Sequence, residues 1–342
     1  MATSVYLPVE ILSCIIWFTI PDHNYLAYPA SHITTKSLVA LLTVSRATSR
    51  IAKTLLYTHC LYIDTPWRLD TLLTASLANP RLPVLLSSIQ NLYLAPFPGR
   101  MIRDRKIINQ ITELFTLLGP SLKRLIINMP LRSHYPFEDV TEKLRPILRQ
   151  GFEQLVHLEE FCSVRDELYL AYWDPDYSHI IPDLEDYDFE SIHYTINDYM
   201  FERWPKLRLL ALYNGLYGRD LKNALGRMPR LEQIVLSRPD FDESFVHGAW
   251  SSFARWHKDR FRFTLIESTD DASDVGLQKL TLGDQPPENQ PDVWKYKAFV
   301  EEDKDPISSV QKWSMQRMLD GSLWSLADHA RPSPAELEMT FL

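Results

Sequence analysis

Pro205-Lys206-Leu207-Arg208-Leu209-Leu210-Ala211-Leu212 follows the phrase P-x-L-x-x-L-x-L, and two other stretches repeat it with the proline in the same place. They are Pro120-Ser121-Leu122-Lys123-Arg124-Leu125-Ile126-Ile127 and Pro229-Arg230-Leu231-Glu232-Gln233-Ile234-Val235-Leu236. Ser88-Ile89-Gln90-Asn91-Leu92-Tyr93-Leu94 and His157-Leu158-Glu159-Glu160-Phe161-Cys162-Ser163 repeat the phrase without it. The last part of the phrase alternates apolar positions, which predicts a strand with every second side chain turned inward, and the earlier leucine closes the turn that leads into it. Leu92, Leu94, Leu125, Ile127, Leu210, Leu212, Ile234 and Leu236 are the expected inward set.

Between the phrases lie helical patterns. Arg105 to Leu118 places Ile107, Ile108, Ile111, Leu114, Phe115 and Leu118 on one face, and Val140 to Leu155 and Arg219 to Arg227 are two more candidates. A strand plus a helix, repeated, buries its apolar faces only by stacking on neighbours, with the strands parallel. The repeats resemble the leucine-rich-repeat family. Their intervals run from about two dozen to almost fifty residues, against the 20–29 of the regular class, and no Asn/Cys ladder position stands out. The resemblance therefore implies an irregular solenoid with long insertions; an unrelated α/β sandwich with leucine-rich strands is the alternative. Cys60 to Asp64 and Phe261 to Ile266 are expected as a first and a late strand.

Upstream, Leu7-Pro8-Val9-Glu10-Ile11-Leu12 is followed by Ser37 to Arg46 and then Arg50 to Tyr57. Pro8 fits the first turn of a helix, and Glu10 sits where the helix dipole favours an anion. Ile11, Leu12, Ile15, Ile16 and Phe18 cover more of that helix than one buried stripe needs. Leu7, Pro8, Glu10, Ile11, Leu12, Ile15, Leu41 or Leu42, Val44, Ser45, Arg46, Ile51 and Ala52 resemble the F-box pattern LPxEILxxI, a leucine-containing helix, then V-[CS]-R-x-W-x-x-[LI]-A. Thr48 stands where many family members have Trp, and the link from Asp22 to Lys36 is longer than usual, which is expected to affect only a loop. The resemblance implies a three-helix module that binds a Skp-family adaptor and, through it, a cullin scaffold. The adaptor-binding set it implies is Leu7, Pro8, Ile11, Leu12, Ile15, Leu41, Leu42, Val44, Ser45, Ile51 and Ala52. An ordinary three-helix bundle end is the plainer alternative.

Composition fits a folded protein of two or three domains' worth of chain: 342 residues, 45% hydrophobic and 23% charged. A net charge of -8 argues against broad binding to nucleic acid or anionic membrane. The three cysteines, Cys14, Cys60 and Cys162, form no C-x-x-C pair, so neither a disulfide framework nor a zinc site is expected. The start of the chain lacks a basic leader region, and Ile11 to Ile20 is too short to span a bilayer. These features predict a reduced, intracellular protein, cytoplasmic or nuclear.

No phosphate-cradling glycine motif, H-E-x-x-H or G-x-S-x-G occurs, and the expectation is a chain without enzymatic activity, cofactor or metal. Asp174, Asp176, Ser178 and Glu185 fall at positions 1, 3, 5 and 12 of an EF-hand loop, but His179 replaces the turn glycine and Pro182 interrupts the loop. Tyr172, Trp173, Asp174, Asp176, Tyr187 and Asp188 read either as a solvated insertion or as a client-binding surface, since carboxylates among aromatics suit a basic segment.

Further on, Ser268 to Asp274, the proline-rich Gln285 to Asp292 and Glu301 to Pro306 read as linkers. Ile307 to Leu326 is expected as an amphipathic helix that caps the open end of the repeats or docks a partner. The division predicted is 1–60 F-box, 61–267 repeat body, and 268–342 linker with a helical cap or tail. The function implied is a substrate-recognition subunit of an SCF-type ubiquitin ligase; a non-degradative scaffold is the alternative.

Overall fold

The structure, a computed structural model, describes residues 7–22, 24–99, 101–133, 138–139, 141–166, 168, 170, 199–214, 219–239, 261–280, 292–300 and 304–328. Among them the chain is mixed α/β. Three helices, α1 (Val9–Trp17), α2 (Ile33–Leu41) and α3 (Arg46–His59), come first. Strands then alternate with helices: β1 (Tyr62–Ile63), α4 (Pro66–Ala78), α5 (Arg81–Leu86), β2 (Asn91–Leu94), α6 (Arg105–Leu118), β3 (Arg124–Ile127), α7 (Leu144–Glu153), β4 (Glu160–Ser163), β5 (Leu209–Tyr213), α8 (Arg219–Gly226) and β6 (Gln233–Ser237). β7 (Arg262–Thr269), β8 (Gly276–Lys279), β9 (Asp292–Phe299) and α9 (Pro306–Asp320) follow, and 3-10 turns stand at Leu131–Ser133, Met200–Arg203, Ala272–Asp274 and Ser322–Asp328.

The nine strands form one sheet in the order β1-β2-β3-β4-β5-β6-β7-β9-β8, parallel except for the pairing of β8 with β9. Four of the five strand phrases make the same move at their start. Two successive N–H groups donate to a single carbonyl of the preceding repeat: Lys123 and Arg124 to Gln90 O, both at 2.9 Å, and Glu159 and Glu160 to Lys123 O at 2.8 and 2.9 Å. Arg208 and Leu209 do the same to Glu159 O, and Glu232 and Gln233 to Arg208 O. Backbone thus joins successive phrases at the amino ends of their strands. At the same positions charge alternates along the row, with Lys123 3.9 Å from Glu159 and Arg208 2.7 Å from Glu232.

The predicted inward residues all lie in the core between the sheet and α4 to α8, each at most 1% exposed. Phe115, Phe152, Phe161 and Trp204 interlock in its centre, and Trp204 Nε1 donates to Phe152 O at 2.9 Å. Gly151 allows α7 to close on α6: a Cβ there would stand 3.0 Å from Thr112 Cα, while Thr112 Oγ1 donates to Ile147 O across the same contact at 2.9 Å. Pro120, Pro205 and Pro229 each follow the end of a helix or 3-10 turn, where a residue without an N–H stops the coil.

Several expectations are corrected here. Pro8 does not stand in the first turn of α1; its ψ of 143° makes it the capping residue before Val9. Within the stretch read as linker and tail, β8 and β9 join the sheet, because Asp292–Phe299 pairs along the whole of β7. Most consequentially, α9 does not cap an end of the sheet. It lies across the face opposite α4 to α8, running from the carboxyl ends of the strands, where Ile307 O is 3.5 Å from Tyr213 Oη, to their amino ends, where Gly321 sits beside Arg124. Trp313 stacks on Tyr296, Ser314 Oγ meets Ser237 Oγ at 3.3 Å, and Tyr93 Oη donates to Met315 Sδ at 3.3 Å. This second core buries Ile126, Cys162, Ala211 and Val235 under Val310, Met318, Leu319 and Leu323.

The link from Asp22 to Lys36 also proves more than a loop. Leu26 and Ala27, both fully buried, enter that second core, and Leu26 N donates to Leu319 O at 2.7 Å. Arg124 donates to Asn24 O at 2.9 Å, and Tyr28 N donates to His59 O at 2.7 Å. The helical unit, the sheet and α9 are thereby tied together.

Candidate protein-interaction surface

α1 is too apolar for what it buries. Its contribution to the small core of the helical unit is Ile16, which with Ile20 packs against Tyr28, Leu38, Ala52 and Leu55. Leu7, Val9, Ile11, Ile15 and Phe18 are exposed, Phe18 by 84%, and Trp17, which meets the His59 ring edge-on, is still about half exposed. Leu7, Ile11, Ile15 and Phe18 follow one another at spacings of three and four and form one stripe. Ile33, Val39 and Val44 add exposed apolar surface from α2 and the turn after it. An exposed apolar surface of this extent is of the kind that marks interaction sites.

The predicted adaptor-binding residues divide by burial. Leu7, Pro8, Ile11, Ile15, Val44 and Ser45 are exposed, and Leu12, Leu41, Leu42 and Ile51 are half-buried and back the surface. Ala52 is fully buried between the helices and supports the surface without facing a partner. Ser45 has a structural task as well: its Oγ accepts from Thr48 N at 3.2 Å while Thr48 Oγ1 accepts from Ser45 N at 2.9 Å, a capping box that starts α3. Thr48, at the expected Trp position, is thus buried and used for capping. Val9, Trp17, Phe18, Ile33 and Val39 were not among the predicted contacts. The three-and-four spacing could have placed Phe18; nothing in the sequence marks Ile33 or Val39 as uncovered.

Charge around the surface has the sign opposite to the whole chain. Residues 7–60 carry four bases (Lys36, Arg46, Arg50, Lys53) against two acids (Glu10, Asp22). Arg46, Arg50 and Lys53 are exposed along one side of α3, turned away from the buried Thr48, Ala52, Leu55 and His59. The surface is suited to a partner that is apolar at the centre and acidic at the rim.

The expected client-binding residues Tyr172, Trp173, Asp174, Asp176, Tyr187 and Asp188 lie outside the described residues, as do Ser178, His179, Pro182 and Glu185 of the loop compared with an EF-hand. Among the described residues, no group of three or more His, Cys, Asp or Glu side chains assembles that could hold a metal ion, and no helix is long and apolar enough to cross a membrane. Burial raises the pKa of the Cys162 thiol well above its usual value and raises that of Cys60 as well, so neither is poised as a nucleophile. Compared with protein-family models and with curated proteins, the chain matches none.

Proposed function

We propose that this chain is the substrate-recognition subunit of an SCF-type ubiquitin ligase. In this reading the three N-terminal helices are an F-box that binds a Skp-family adaptor, and the strand–helix body is a degenerate leucine-rich-repeat solenoid that holds a client protein. The single observation that carries it is the uncovered apolar stripe of Leu7, Ile11, Ile15 and Phe18 on the unit whose sequence resembles the F-box. No residue performs bond chemistry. The contribution is proximity, since a client held near the conjugating enzyme presents its lysines at high effective concentration. The basic side of α3 supports the assignment by favouring an acidic adaptor surface.

The test is co-purification with a recombinant Skp-family adaptor. Ile11→Asp combined with Ile15→Asp should abolish capture, because each places an unpaired charge in a desolvated contact. The melting temperature should stay near that of the parent, because both side chains are already exposed. Retention of the adaptor by the double variant would refute the assignment. Accumulation of a bound client on proteasome blockade separates a ligase subunit from a non-degradative scaffold.

A further inference from the structure

With its two faces covered by α4 to α8 and by α9, the strand–helix body offers a partner the rim at the carboxyl ends of its strands. The connections at the amino ends are short and uniform, as at 119–123, 154–159 and 227–232. The remaining connections vary more in length: 128–143 from β3 to α7, 164–199 from β4 to the 3-10 turn Met200–Arg203, and 238–261 from β6 to β7.

The described residues of that rim share two features. Asn214 and Arg238, each the residue directly after its strand, have φ of 53° and 47°, and Leu168, five residues past β4, has φ of 54°, so a non-glycine residue stands in the left-handed region beyond each of three neighbouring strands. Asn tolerates this; Leu and Arg adopt it only when the surroundings impose it, and Arg238 is further crowded by Pro239. Second, the arginines at the amino ends are neutralised, Arg124 by Glu160, Arg208 by Glu232 and Arg262 by Asp292. Arg165 and Arg238, at the carboxyl ends of β4 and β6, act on Asp166 and Asp305 only at longer range. Arg165 donates to Gly99 O at 3.5 Å and Arg238 to Tyr213 Oη at 3.2 Å, and neither forms an ion pair with a described carboxylate. The nearby acids are engaged elsewhere: Asp166 Oδ2 accepts from Arg132 N at 3.1 Å, and Asp305 caps α9 through Ile307 N and Ser308 N.

We propose that this rim, through Arg165 and Arg238 flanking Asn214, binds an oxyanion-bearing segment of a partner protein, carboxylate or phosphate. Planar guanidinium groups match such oxygens bidentately, and that of Arg238 is held part-buried beside Tyr213. This deepens the reading of the body as the client-binding half and rests on it.

The test uses the full chain and three fluorescein-labelled octapeptides, one of glutamate, one containing phosphoserine and one of alternating glycine and serine, followed by fluorescence anisotropy. A chain of net charge -8 repels an anion in general, so capture of an acidic peptide reports a local site. The acidic peptides should bind more tightly than the neutral one, and less so as salt is raised. Arg165→Glu with Arg238→Glu should weaken that binding by at least about tenfold. Arg165→Gln with Arg238→Asn, which keeps a residue tolerant of the left-handed region, should do the same without lowering the melting temperature. Tighter binding of phosphoserine or of glutamate identifies the oxyanion. The proposal is overturned if the acidic peptides bind no better than the neutral one, if either double variant binds them undiminished, or if a single-stranded oligonucleotide is preferred. Adaptor capture, read in parallel, should be unaffected. Its loss in the parent chain would sink the ligase assignment while leaving the rim site standing.

Discussion

Thr48 shows at the residue scale how a departure from a pattern is absorbed. Where the F-box pattern has a large ring, a buried hydroxyl closes the capping box with Ser45. Ser45→Ala should therefore lower stability by about 1 kcal/mol in urea titration, the usual loss for an N-cap. Asp166 makes a different prediction, in pH. Burial raises its pKa despite the opposing charges of Arg132 and Arg165, so the native state binds the proton more readily than the unfolded chain. Stability from this group is then greatest below the unfolded pKa and falls as pH rises through the native one. Asp166→Asn keeps an acceptor for Arg132 N–H and removes that loss. Its melting temperature should exceed the parent's at neutral pH, with the gap closing as the solution is acidified.

Elements here are held as much by what they avoid as by what they touch. α6 and α7 approach closely because Gly151 has no Cβ to meet Thr112. Gly151→Val should cost about 1–3 kcal/mol by overpacking, measured by chemical denaturation. In the opposite sense, Leu125→Ala leaves a cavity between the sheet and its helices and should cost about 2–5 kcal/mol. The link at Leu26 belongs to the same class although it follows no repeat phrase. Leu26→Ala should be as costly as a strand leucine, because the side chain is fully buried between the sheet and α9. A loss near zero would show that the link is only laid against the sheet.

For the whole molecule, α9 and the 22–36 link have one consequence: the link is held to α9 and the sheet through Leu26–Leu319 and Arg124–Asn24 and to α3 through Tyr28–His59, which braces the helical unit against the sheet. A chain ending before Pro306 should expose Ile126, Cys162, Ala211 and Val235, bind a hydrophobic dye, and melt at lower temperature than the parent. In the ligase reading, that brace holds the adaptor and the client rim in a constant relation, which suits an activity that depends on proximity.

The sequence alone determined the period of the body, the parallel strands, the identity of their buried residues and the limits of α6, because alternation and helical spacing are local and the strand phrase repeats them. It also marked most of the exposed stripe of α1, through an excess of apolar residues over what one helix can bury. What it left open depended on contacts between distant segments. α9 reads equally well as an end cap or as a cover, since amphipathicity states that a face is buried and not against what. Leu26 and Ala27 look like loop residues because their burial comes from Leu319, nearly three hundred positions away. Arg165 and Arg238 are ordinary arginines in the sequence. Only the tertiary structure separates them from Arg124, Arg208 and Arg262, because whether a charge is paired is a property of neighbours that the chain order does not place together.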